Sequence, residues 1–413
     1  MDGHGLASVI HRAASDPVLP GDVTARARDL GPLESPLIWL GFASAAVAVL
    51  AVVVALWYRR RVRRWGFTAF GVLLLLASVT ALNSYVGYVR TSDDLARLLQ
   101  RGPGVVNLAG RLLDDGKEAP EPSSGSAGSS PDSSSDSSAT PRPGAGKAAA
   151  GQRIDVVNLA DPAHGIPTGS NYVVLPPGYD SDPTHRYPVV YLIHGYPFGG
   201  PRDWLTSGDA PGSLLALQQA NVIAPMIVVS VDMTAGNPST DWECLNVPGG
   251  PQLESYLAET VVPAIDQRYR TIADRTHRAL GGMSGGGFGA LNIGLHHVDE
   301  FATLVIALPY DDLNDSIGIL DGNRAAIAAN TPRRYLPTMK FSAPISVMLA
   351  VGTGAPTDVT TAHRIADALH ARGQEAVVHA ERGFNHTWHT ARATLPYLLA
   401  FADQTFRAPP AAS

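Results

Sequence analysis

Two stretches without a charged residue, 37–58 and 66–89, stand in tandem near the start of the chain. A helix needs about 20 apolar residues to cross a hydrocarbon core, and each run is long enough. The joint between them carries Arg59, Arg60, Arg61, Arg63 and Arg64. One such run could be the central helix of a globular core. Two, joined by an arginine-dense turn, predict a membrane hairpin. A cleaved leader is the competing reading, but its positive charge should precede a shorter apolar run; here the arginines follow a long one. Short arginine-rich loops stay in the cytoplasm, so both flanks of the hairpin are expected outside the plasma membrane.

Composition agrees with this. Charged residues are 16% of the 413, against about a quarter in soluble domains. The net charge is −6 and no basic block lies outside the hairpin turn, which speaks against nucleic-acid binding. The single cysteine, Cys244, excludes an internal disulfide and any multi-cysteine metal site. It is expected to be a buried thiol.

Around the hairpin (36–89), residues 1–35 read as a loosely ordered polar tail and 90–113 as a short amphipathic or stalk segment beside the membrane. Residues 114–152 are Ser, Pro, Gly and Ala with scattered acids. Such a composition buries too little apolar surface to fold and reads as a flexible tether. From 153 to 407 apolar strand-like runs alternate with helical periodicity, and 408–413 is a tail. Expected strands fall at 156–159, 172–175, 189–193, 226–231, 278–280, 304–308, 345–351 and 376–379. Expected helices fall at 253–268, 288–296, 360–371 and 391–406. Strands apolar on both faces, alternating with helices, argue for a mostly parallel sheet covered on both sides.

Within this region Gly282-Met283-Ser284-Gly285-Gly286 spells Gly-x-Ser-x-Gly between a strand-like run and a helix. That context suits a nucleophile elbow, a tight turn that lifts a serine hydroxyl above the sheet edge. A glycine-rich turn with an incidental serine is the bland alternative, so the rest of the chain must supply a base and an acid. After Ser284 come His296, His297, His363, His370, His379, His386 and His389. The first four fall on helices and His379 ends a strand. His386 follows a strand and a glycine-containing loop, where a base would hang over the sheet edge; His389 reads as packing at a helix start. The acid should follow the strand ending at Val351, where Asp358 is the loop's carboxylate. Asp358 could instead cap the next helix, and Asp311 and Asp312 remain alternatives. Negative charge on an attacked carbonyl oxygen needs fixed N–H groups. The amides of Gly285 and Tyr196 are the candidates, because Pro197 has no N–H. Asp232, Trp204, Asp241, Trp242 and Glu243 lie on loops at the same sheet edge, with Trp204 and Trp242 as candidate substrate contacts; packing and solubility of long loops is the competing reading for all five.

These motifs together, His194-Gly195, the Ser284 pentapeptide and His386-Thr387-Trp388 before a closing helix, resemble the esterase D and antigen 85 group of α/β-hydrolases. The stretch from Leu253 to Asp266 is similar to that group's helix before the elbow strand. The resemblance covers about residues 153–407. It implies an α/β-hydrolase fold, a triad of Ser284, an acid and His386, and esterase or mycolyltransferase-type acyl-transfer activity. The chain departs from the group in the acid loop, where Gly354-Ala355-Pro356-Thr357 intervene before Asp358. The reading is a membrane-anchored, extracytoplasmic serine esterase or acyltransferase acting on an acyl ester, with lipid or glycolipid esters of the cell envelope as expected substrates. This chemistry calls for no metal or organic cofactor. A non-catalytic envelope scaffold keeping the hydrolase shell is the alternative of another class, and a serine peptidase a third.

Overall fold

The computed structural model describes residues 15–100 and 151–408, Phe198 excepted. The expected tether, up to residue 150, and the expected tail beyond 408 lie outside them.

Eight strands form one sheet in the order β1-β2-β4-β3-β5-β6-β7-β8. They are β1 Arg153–Asp161, β2 Ile166–Leu175, β3 Val189–Ile193, β4 Ile227–Val231, β5 Arg278–Met283, β6 Thr303–Ala307, β7 Ser346–Gly352 and β8 Glu375–Glu381. β2 runs antiparallel to both its neighbours, β1 and β4; β3 to β8 are parallel to one another. Every residue of β3, β4, β5 and β6 is buried, which is why these strands are mostly apolar on both faces rather than alternating, with Ser230, Arg278 and Thr303 as the buried polar members. Helices cover both faces. On one lie Ala210–Gln219 and the closing helix Trp388–Phe406. On the other lie the segment 253–268, the elbow helix Gly285–His296 and Pro356–His370. The segment 253–268 is not one regular α-helix: Tyr256–Val261 is a π turn leading into Val262–Arg268. Pro263 lacks the N–H that would bond Glu259, and the wider turn accommodates that loss.

Register places the functional edge. Ile193 of β3 lies opposite Gly282 of β5, so the residues after both strands, His194 to Tyr196 and Ser284, emerge side by side. The carboxyl ends of such parallel strands are where open α/β sheets bind ligands.

Two helices precede this body, Pro36–Ala55 and Arg60–Val86, with only 11% and 6% of their most apolar windows buried. A core helix would be mostly covered; these expose their apolar surface. They pack together closely, a Cβ at Gly66 falling 2.1 Å from Val53 Cγ2. Trp57, Tyr58 and Trp65 stand exposed beside the arginine turn, with Arg63 over the Trp57 ring at 5.2 Å. Gly87, at φ 72°, ends the second helix.

The expectation of a loose tail over 1–35 fails for residues 15–35. Gly21–Arg28 is helical and Val23 belongs to the same apolar cluster as the closing helix. The polar residues that suggested disorder are instead paired with the α/β body: Asp16 with His379, Arg28 with Glu381 and Glu34 with Arg392.

Candidate active site

β5 ends at Met283, and Ser284 takes φ 56° and ψ −119° before the elbow helix begins. A non-glycine residue there is strained. Its neighbours explain how the turn closes. A Cβ at Gly286 would sit 2.2 Å from the His194 carbonyl oxygen, and one at Gly282 2.2 Å from that of Gly286. Only hydrogen fits at either place. The Ser284 N–H donates to Ala307 O at 3.1 Å, tying the turn to β6.

The loop between β8 and the closing helix brings His386 above this edge. Its Nε2 lies 2.9 Å from Ser284 Oγ and its Nδ1 2.7 Å from Asp358 Oδ2. The arrangement fits Nδ1–H donating to the carboxylate and Nε2 accepting from the hydroxyl, the proton position following from partners. Asp358 stands in the first turn of Pro356–His370. The intervening residues do not carry it away, because their turn is packed on the histidine loop. Gly354 N–H donates to Phe384 O at 2.8 Å, and Gly383 N–H to Thr353 Oγ1 at 2.8 Å. A Cβ at Gly352 would lie 2.1 Å from Phe384 O, and one at Gly354 2.5 Å from Asn385 Oδ1.

The alternatives are engaged elsewhere. Asp311 accepts from Arg333 and Arg364, both at 2.8 Å, and these guanidiniums hold its carboxyl below the usual range against the effect of burial. Asp312 pairs with Arg333 at 3.2 Å. His389 lies against Ser84 O at 3.0 Å. His194 accepts from Met233 N–H at Nε2 and lies 3.0 Å from Gly195 O at Nδ1, so it shapes the loop after β3.

Gly285 and Tyr196 adjoin: a Cβ on Gly285 would lie 3.6 Å from the Tyr196 amide nitrogen. Both line a cleft with about 330 Å³ of empty space, open solvent included, together with Met233, Asp241, Trp242 and Glu243. Trp242 is thus part of the cleft wall. Trp204 does not, and its expected place in the pocket is corrected. It is fully buried, its Nε1–H donates to Ile193 O at 2.8 Å, and it packs edge-on against Trp388 with centroids 5.3 Å apart. It buttresses the site from beneath, under both the β3 end and the histidine loop.

One feature lacked a sequence signal. Tyr310, stacked on Phe288 with centroids 5.0 Å apart, donates its hydroxyl to Glu243 Oε2 at 2.5 Å. Burial, and then the charge of Asp241, push Glu243 up to about 8; burial raises Asp241 too. The cleft therefore holds a carboxylic acid that keeps its proton well above the usual carboxylate range. Glu243 and Cys244 are at φ 46° and 57°, and Cys244 is buried with its thiol pushed well up by burial. Acids at 241 and 243 were visible in the sequence, but their shared burial with Tyr310 comes from β6 and cannot be read from spacing.

Comparison with known proteins bears on the family and the fold. The family model described as "Putative esterase" matches residues 170–396. An uncharacterized protein of Corynebacterium glutamicum is 30% identical over 148 residues, 35% of this chain and 33% of that one. A protein named an esterase from Mycobacterium tuberculosis is 30% identical over 132 residues, 32% of this chain and 27% of its own. The chain thus spans about a third or less of the length of these curated relatives. Among solved structures, a ferulic acid esterase is similar over 62% of this chain and 98% of its own, at 24% identity and a TM-score of 0.54. An S-formylglutathione hydrolase from Agrobacterium tumefaciens is similar over 62% and 97%, at 16% identity and a TM-score of 0.52. Those two likenesses concern the fold, whereas the family match covers more than half of the chain, from β2 into the closing helix: this chain belongs to that esterase family.

Proposed function

We propose that the chain is a membrane-anchored, extracytoplasmic serine esterase or acyltransferase. Ser284 is its nucleophile, His386 its general base and acid, and Asp358 the group that orients His386. The observation that carries this is the continuous relay from Asp358 Oδ2 through His386 to Ser284 Oγ, at 2.7 and 2.9 Å.

As Ser284 Oγ bonds the ester carbonyl carbon, its proton passes to His386 Nε2. The carbonyl electron pair moves onto oxygen, opposite the amides of Gly285 and Tyr196. Each such donor contributes on the order of 10²–10³ in rate. Asp358 keeps the proton on Nδ1 and stabilises the imidazolium. The acyl C–O bond then breaks, and His386 returns the proton to the leaving alkoxide. A water or a second alcohol attacks the acyl-enzyme with His386 as base, releasing acid or a new ester and restoring the Ser284 proton. Hydrolysis and transfer differ only in that acceptor.

Anchoring rests on the two exposed apolar helices and their arginine turn, which by the positive-inside rule would leave the α/β body outside the plasma membrane. From that location we infer lipid or glycolipid esters of the envelope as substrates, with Trp242 contacting them. A fluorophosphonate probe tests the chemistry: wild type is expected to label and Ser284→Ala not to. A folded wild type that fails to label would leave the scaffold alternative. A series of p-nitrophenyl esters of increasing acyl length then tests the lipid preference, and a preference for two-carbon acyl groups would overturn it.

A further inference from the structure

The hairpin does not merely carry the α/β body on a string; the two share a buried joint. Glu34, between the docked N-terminal helix and the first apolar helix, is completely buried. It meets the Arg392 guanidinium, itself 1% exposed, at 3.0 and 3.1 Å. Arg392 lies on the closing helix and also donates to Ser207 O at 2.9 Å. Ser84, one turn before the end of the second apolar helix, donates its hydroxyl to Glu34 O at 2.7 Å, and its own carbonyl meets His389 Nε2. A Cβ at Gly87 would lie 2.8 Å from that imidazole. Further along, Ser207 Oγ donates to Tyr88 O at 2.7 Å and Tyr88 donates to Asp203 at 3.0 Å.

An ion pair without water is held only where its surroundings fix both partners, and removing one leaves an uncompensated charge. A body that merely touched the hairpin would not place its most buried arginine there. His389, which rests on the end of the second helix, is three positions from His386, and three residue steps reach at most about 10 Å. The interfacial layer on each side of a bilayer core is of similar thickness, roughly 5–8 Å.

We propose that the hairpin and the α/β body form one non-covalently locked unit, joined at Glu34–Arg392 and Ser84–His389, independently of the covalent connection through 101–150. The lock holds Ser284 and His386 at headgroup level, so that acyl esters resident in the same leaflet reach them. The second statement rests on the esterase reading; the lock does not.

The test uses the full chain with an N-terminal affinity tag and a site for a specific protease inserted between residues 120 and 140, purified in mild detergent. After complete cleavage, the tag is captured and the C-terminal fragment measured by mass. We expect it to stay with the tagged hairpin as fully as in the uncut protein. Its appearance in the flow-through would overturn the lock. Cut Glu34→Ala is expected to retain at least tenfold less fragment, and full retention in that variant would remove the ion pair from the proposal. If Glu34→Ala does not accumulate, the cut wild type decides alone. Because Ser284→Ala should be retained like wild type, loss of esterase activity and loss of the lock are read separately.

Discussion

Replacing Asp358 by Asn isolates the step on which the proposed chemistry depends. The carboxylate accepts from His386 Nδ1 at 2.7 Å, in the range of a charge-assisted bond. An amide of the same shape can turn its NH₂ toward Nδ1. That selects the tautomer with hydrogen on Nε2, which cannot take a proton from Ser284 Oγ 2.9 Å away. In serine proteases this exchange costs about 10⁴ in kcat. Here the His386 side chain is 40% exposed and that of Asp358 15%, so water can partly replace the lost acceptor. We expect a fall of about 10³, equivalent to roughly 4 kcal/mol of transition-state stabilisation. The assay is kcat/KM on a soluble p-nitrophenyl ester, with circular dichroism to show that the fold is intact. Asp311→Asn serves as the contrast: its carboxylate lies under Arg333 and Arg364, so it should lower Tm and leave the rate within severalfold. If Asp358→Asn kept activity within tenfold while Asp311→Asn lost three decades, the acid would have been misassigned and the relay reasoning with it.

Further expectations concern Gly286, Glu243 and His379. Gly286→Ala puts a methyl group 2.2 Å from His194 O and 2.5 Å from Ile193 O; overpacking against backbone costs about 1–3 kcal/mol or more, so Tm should fall by several degrees, and an unchanged melt would mean that the elbow is looser than drawn. Burial and then Asp241 push Glu243 up to about 8; ionising above that pH places negative charge in the cleft that Gly285 and Tyr196, the proposed oxyanion donors, also line, so kcat/KM should fall on an alkaline limb that Glu243→Gln abolishes. The same group binds its proton more tightly folded than unfolded, so its contribution to stability is present at acid pH and is lost as pH rises from about 4.5 to about 8. For His379, burial lowers the pKa but Asp16 and Glu381 outweigh it and raise it to about 9. Its contribution is therefore full below about 6.5 and lost as pH rises through about 9, and amide exchange in residues 15–28 should accelerate over that interval unless Asp16→Asn has already removed the effect.

What could be read from the sequence, and what could not, divides along contact range. Strands β3 and β6 were legible because burial on both faces leaves near-continuous apolar runs. Ser284 was legible because its turn admits only glycine at Gly282 and Gly286. His386 followed from chain order. The position of Asp358 was only partly legible: whether the extra loop residues deliver it depends on Gly352 and Gly354 lying against the Phe384–Asn385 backbone, contacts that no local pattern encodes. Trp204 was misplaced because a loop's position along the chain does not say which way a side chain turns, and its N–H had a buried acceptor in Ile193 O. The docking of residues 15–35 was illegible for a stronger reason. It rests on isolated polar pairs, with Glu34 and Arg392 358 positions apart, in a stretch whose composition resembles that of unfolded chain.

The closing helix ties these observations together. Its first residue, Trp388, packs on Trp204 beneath the β3 end. Two residues earlier, His386 meets Ser284. One residue later His389 touches the end of the second apolar helix, and one turn on Arg392 reaches Glu34. Burial lowers the His389 pKa, with Glu34, Arg392 and Arg90 around it, so the imidazole is neutral at pH 7 and can donate to Ser84 O while accepting from Arg392. Protonation would remove that acceptor and set a second cation beside Arg392 and Arg90. As pH falls below about 6.5 the unfolded chain takes up this proton before the folded one does, so the joint should weaken on the acid side. Capture of the cleaved fragment at pH 5.5 and 7.5, with His389→Gln as the non-titrating control, tests this: retention equal at both pH values in wild type would show that His389 has no part in holding the joint.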